Sequence, residues 1–132
     1  MRKNKIDLLT AANLADKLMQ DSGFTYPNPP RHGFMVGGAG RLLKVPYNEA
    51  QFTADADIVK LRLTDLIHSF DEPDGGYLGG WINRENGDAW LYIEESEHYV
   101  TRTRALQVAT KRGELGIYAL ADKKTIKLED MR

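Results

Sequence analysis

The chain has no cysteine. That excludes a disulfide framework, a thiolate nucleophile, an iron–sulfur cluster and any cysteine-based zinc site. No apolar run approaches the roughly 18 residues needed to cross a bilayer. The basic start, Met1-Arg2-Lys3-Asn4-Lys5, precedes a stretch broken by Asp7, Asn13, Asp16 and Lys17, so it lacks the apolar centre of a signal peptide. A cytoplasmic location is therefore expected. Neither sign of charge dominates: the net charge is −1, which rules out a general polyanion binder but leaves room for a local basic patch.

What is present is ordinary globular material, 42% hydrophobic and 28% charged over 132 residues. That length is read as a single domain spanning residues 1–132, with 1–5 and 129–132 frayed. Leu8, Ala11, Ala12, Ala15, Leu18 and Met19 fall on one helical face, with Thr10 or a residue nearer Asp7 as cap and Gly23 as stop. Residues 24–32 hold three prolines and read as an exposed, stiff loop. Phe34-Met35-Val36, then Gly37-Gly38-Ala39-Gly40, then Leu42 to Val45 read as a hairpin.

A second helix is expected over about 53–70, capped by Thr53 or Asp55, with Val59, Leu63, Leu66, Ile67 and Phe70 as its stripe. Tyr77–Asn83 and Ala89–Glu95 form a hairpin across Asn86-Gly87-Asp88, with Trp90 and Tyr92 on one face and Leu91 and Ile93 on the other. A third helix is expected over 98–112 with Ser96 as its cap, followed by a hairpin of 115–120 with 125–128. The fold class is thus α+β: a mainly antiparallel sheet of about six strands in three hairpins, with helices on one face, in the order α-ββ-α-ββ-α-ββ.

Chemistry-bearing patterns are sparse. His32, His68 and His98 have no metal-ligand spacing, and His68 reads as a cation at a helix C-terminus. Glu94, Glu95 and Glu97 read as a strand end ahead of a helix. Gly37–Gly40 is followed by a strand and lacks Gly-Lys-Ser/Thr, so it reads as a turn and not a phosphate loop. Ser22, Ser69 and Ser96 lack a nucleophile-elbow context. No catalytic residue, metal site or cofactor is assigned.

Aromatic and arginine side chains are the remaining tools. Tyr26, Arg31 and His32 share a loop, Arg84 flanks a turn, and Arg102 and Arg104 open the third helix. These residue types anchor protein interfaces and also stack on nucleotides. At least one of Trp81 and Trp90 is expected in the core.

Gly79-Gly80-Trp81, Gly87, Tyr92-Ile93-Glu94, Ala105, Ala109 and Ile117-Tyr118 resemble, in order, the motifs of small uncharacterised proteins carried by bacteriophages and integrated elements. The resemblance spans about residues 33–120. Ala119 departs from the acidic residue expected after Ile-Tyr. The resemblance implies no catalytic residues. It implies an accessory module that binds a host protein, including defence machinery; with aromatic and arginine anchors on a rigid sheet, such a module is expected to act by occlusion. Two alternatives stay open: a binder of a nucleotide or other small anion, either a sponge or a small enzyme, using Arg31, His32 and Arg41, and a nucleic-acid binder using the third helix. A homodimer through an uncovered strand edge is also open.

Overall fold

The computed structural model describes residues 4–48, 54–85 and 87–131. The elements are α1 (Leu8–Asp21), β1 (Gly23–Tyr26), β2 (Phe34–Val36), β3 (Leu42–Pro46), α2 (Ala56–His68), β4 (Tyr77–Glu85), β5 (Asp88–Tyr99), α3 (Arg102–Arg112), β6 (Gly116–Ala119) and β7 (Lys124–Lys127), then a 3-10 turn over Leu128–Met131. The class is α+β with a mostly antiparallel sheet. Its hydrogen-bonded strand order is β1-β4-β5-β2-β6-β7, and β3 pairs with β5. No described helix is long and apolar enough to cross a membrane.

Two of the expected hairpins form, β4–β5 and β6–β7. The third does not. Instead of pairing with each other, β2 and β3 both pair with β5: Phe34, Met35 and Val36 stand opposite Tyr99, His98 and Glu97, and β2 also pairs with β6. A strand also replaces part of the expected proline loop. Residues 23–26 form β1, which buries Phe24 and ends ahead of Pro27. The prolines begin where the strand stops, because each lacks the amide that a ladder needs.

The chain divides into two compact units, and both β4 and β5 contribute to each. The first comprises residues 1–24, 43–74 and 80–93. Asp7, not Thr10, caps α1, accepting from the Thr10 amide at 2.8 Å. That bond holds the exposed Asp7 carboxyl below its usual range. The helix closes on Ser22 in the left-handed conformation, one residue before the glycine expected there. Asp55 caps α2, accepting from the Ile58 amide at 3.3 Å, while Thr53, the other candidate, lies outside the described residues. Lys60 of α2 meets Asp16 of α1 at 3.0 Å. His68, ending α2, donates through Nδ1 to the Ile6 carbonyl at 2.5 Å. Asn4 and Lys5 pair with the segment after α2: the Glu72 amide donates to Asn4, and Lys5 bridges to Asp71. The buried stripe Ala11, Leu14, Ala15, Leu18 of α1 joins Val59, Leu63, Ile67 of α2 and Ile82, Leu91, Ile93 of the strands in this unit's core. Burying each large aliphatic side chain contributes about 1.5–3 kcal/mol.

The second unit comprises residues 25–42, 75–79 and 94–132. Here α3 lies on β2 and β6, with Ala105 and Ala109 packed against Val36 and Ile117. Small side chains let the helix approach the strands closely. Strand β5 runs to Tyr99, so α3 starts at Arg102 and Thr101 is its cap. Ser96, the expected cap, is instead a buried strand residue. The 3-10 turn takes up the expected frayed tail over residues 129–131.

Candidate functional site

Two places gather side chains with chemistry, one in each unit. The first is an aromatic strip. Along β5, Trp90 and Tyr92 alternate with the buried Leu91 and Ile93, as the period of two requires. Trp81 on β4 stacks on Tyr92 with ring centroids 4.8 Å apart and planes 17° from parallel. The Lys44 ammonium from β3 lies 4.8 Å from the Trp90 ring centroid and 5.4 Å from that of Tyr92. Neither indole belongs to the buried core, contrary to expectation; Trp90 is 36% exposed. Stacking and the cation hold the rings in fixed orientation, each contact contributing on the order of 0.5–1.5 kcal/mol.

The second place is a carboxyl–arginine cluster around the glycine segment 37–40. Glu94 is 9% exposed and accepts from the Gly38 amide through Oε2 at 3.2 Å. Glu95 accepts from the Arg41 amide at 2.7 Å, and its backbone bonds both Ala39 and Arg41. Arg112, at the end of α3, pairs with Glu97 and donates to the Gly37 carbonyl at 3.0 Å. The Arg112 hydrogen bond holds the Glu97 carboxyl below its usual range. Glu114 is raised: burial outweighs the opposing pull of Arg112 and of a hydrogen bond with Glu94. The glycine segment is therefore neither a hairpin turn nor a phosphate cradle. Its Gly38 and Arg41 amides already hold the protein's own carboxylates, whose charge opposes an incoming anion.

The residues singled out from sequence fall at separate places. Tyr26 ends β1 and is half-buried; Arg31 and His32 are exposed in the following loop, where the His32 carbonyl accepts from His98 Nε2 at 2.8 Å. Arg102 and Arg104 are exposed on the first turn of α3. Arg84 is exposed on β4 and donates to Ser22 Oγ at 3.0 Å. Among the described residues no group of three or more His, Asp or Glu side chains is arranged to hold a metal.

No protein-family model matches the chain, and neither a curated protein nor a solved structure matches it. The site thus rests on its own geometry. Sequence reasoning passed over Lys44 and Glu114. The signal for Lys44 was its central place in a short alternating strand, and Glu114 follows directly on the helix-ending Gly113.

Proposed function

We propose that the protein is a non-catalytic binding module whose contact surface is the aromatic strip of Trp81, Trp90 and Tyr92 with Lys44. The observation that carries this reading is the stacked Trp81–Tyr92 pair beside an exposed Trp90 under a lysine cation. Rigid aromatics lose little conformational entropy on docking and supply large apolar area, so such clusters anchor interfaces. The partner is a host protein, and binding acts by occluding the partner's own site. Assignment to a phage or mobile element, and to inhibition of host defence, rests on the resemblance of residues 33–120 alone. Tyr26, Arg31, His32, Arg84, Arg102 and Arg104 are proposed as further contact residues.

The test compares the wild-type chain with Trp90→Ala and Lys44→Glu as baits in host lysate. A stoichiometric partner retained by wild type and lost by both variants supports the reading. Absence of a stoichiometric partner, or a partner held equally by all three baits, overturns it.

A second reading has one specific observation in its favour. A lysine over exposed rings also suits a nucleotide, whose base stacks while its phosphate meets the cation. A ligand at a hundred times its dissociation constant adds about 2.7 kcal/mol to stability, so a thermal-shift panel of nucleotides separates the two readings. Nucleic-acid binding through Arg102, Arg104 and Lys111 of α3 predicts instead an affinity that falls steeply with salt.

A further inference from the structure

The near-neutral charge of the chain hides an uneven division. The second unit holds ten Lys and Arg against seven Asp and Glu, whereas the first holds eight against twelve. Three of the second unit's acids are turned to its own groups: Glu94 and Glu95 accept from the Gly38 and Arg41 amides, and Glu97 pairs with Arg112. Its basic side chains gather on α3, which contains no acid. Ala105 and Ala109 turn one side of that helix to the strands. At about 3.6 residues per turn, the opposite side presents Thr103, Arg104, Gln107, Thr110 and Lys111, and all five are exposed. An open depression of about 520 Å³ on this side is lined by Thr103, Leu106, Gln107 and Thr110, so among the described residues no other element covers it. Lys124 flanks the helix from β7. Ile126 packs against the Ala105–Ala109 cluster, and alternation puts the exposed Lys124, opposite Ala119, on that same sheet face. Asp122, in the turn before it, is outnumbered by Lys123 and Lys124.

We propose that the outer face of α3, with Lys124 beside it, docks in the major groove of duplex DNA. Charge complementarity calls for a polyanion: Arg104, Lys111 and Lys124 meet phosphates, while Thr103, Gln107 and Thr110 supply neutral donors and acceptors between them. The shape fits this polyanion. A helix of 11 residues is roughly 16 Å long and, with side chains, about as wide as the 12 Å major groove of B-form DNA. The major groove of duplex RNA is too narrow to admit it. A helix lying on an anionic membrane inserts apolar side chains, and the five exposed residues of this face are all polar. An acidic protein would be gripped by aromatic anchors, which this face lacks. The binding belongs to the second unit and to a different partner from that of the aromatic strip, so either can fail without the other.

The test is fluorescence anisotropy of a labelled DNA duplex titrated with the full chain between about 50 and 200 mM salt. Three phosphate contacts give a slope of about −2.7 in log affinity against log salt, so binding should weaken about fortyfold across that range. Arg104→Gln, Lys111→Gln and Lys124→Gln should each lessen the slope by about one and, being exposed, keep the wild-type urea midpoint. Gln107→Glu, which sets an acid at the centre of the face, should weaken binding at every salt concentration. Trp90→Ala should bind the duplex as wild type does. No binding at protein concentrations on the order of 10⁻⁴ M and the lower salt overturns the proposal. So does a triple glutamine variant that binds as wild type does. Tighter binding to duplex RNA, to polyglutamate or to phosphatidylserine vesicles than to the DNA duplex also overturns it.

Discussion

Arg112 ties Glu97 on β5 to the carbonyl of Gly37, so one guanidinium spans the end of α3, the long strand and the glycine segment. Replacing it with methionine keeps the aliphatic stem and removes both bonds. Glu97 retains 45% of its side-chain exposure, so water screens much of the pair, and the expected loss is about 1 kcal/mol. The pH signature has a definite sign. Glu97 is depressed by Arg112, so its contribution is present above the ordinary carboxylate value of 4.5 and disappears as pH falls through its lower folded value. In urea unfolding at several acid pH values the gap between wild type and Arg112→Met should narrow toward the low end, where only the bond to the Gly37 carbonyl is left to separate them. A constant gap across the series would contradict the pairing.

Phe24 and Gly80 make the tightest fit between β1 and β4. A β-carbon on Gly80 would come within 2.2 Å of Phe24 Cε2 and 2.8 Å of two more ring atoms. Because that ring is buried, Gly80→Ala should cost about 1–3 kcal/mol through overpacking. Adding Phe24→Leu to the alanine variant should cost less than Phe24→Leu costs alone, since the smaller side chain vacates the clash. A double-mutant cycle in denaturant measures that coupling, and strict additivity would refute the contact.

The start of α3 distinguishes two serine/threonine roles. Thr101 Oγ1 accepts from the Arg104 amide at 3.3 Å, whereas Ser96 Oγ only reaches the Tyr77 carbonyl at 3.5 Å. Thr101→Ala should therefore lower stability by about 1 kcal/mol. Ser96→Ala should change it by less, because the bond removed is long. The reverse ranking in equilibrium unfolding would restore Ser96 as the cap.

That contrast shows how far local patterns reach. The three-to-four spacing on α1 and α2 and the alternation at Trp90–Ile93 depend only on neighbours along the chain, and both elements were legible, although Leu8, placed on the apolar face of α1, is exposed and the buried Leu14 was passed over. Phe34–Val36 and Leu42–Val45 also carried clear strand signals. Their partner did not show, because glycines at 37, 38 and 40 suit a tight turn and a close approach to carboxylates equally well. Only the length of β5, which runs through Ser96 to Tyr99, decides between them. The acidic residues 94, 95 and 97 read as helix-preceding charge, yet their partners lie more than fifty residues back along the chain or on the far end of α3. Distant pairings of that kind leave no periodic trace. The aromatic strip was half legible: alternation gave its face, while its exposure depended on where the helices pack.

Ala109 tests the close approach of α3. It is fully buried against Val36 and Ile117, so Ala109→Leu inserts three carbons where none fit. The expected cost is about 1–3 kcal/mol, read from the urea midpoint at unchanged slope. A neutral result would mean that the helix rides further from β2 and β6 than described.

The last strand in the hydrogen-bonded order, β7, begins and ends with lysine and exposes both. An approaching strand would have to strip water from those ammonium groups before gaining any ladder bond. At the opposite end, β1 gives way to Pro27, which has no amide to offer. Sheet-to-sheet accretion, the route by which small β-rich proteins polymerise, is thus obstructed at both ends of that order, and β3, which pairs with β5 outside it, closes on Pro46, which likewise has no amide to offer.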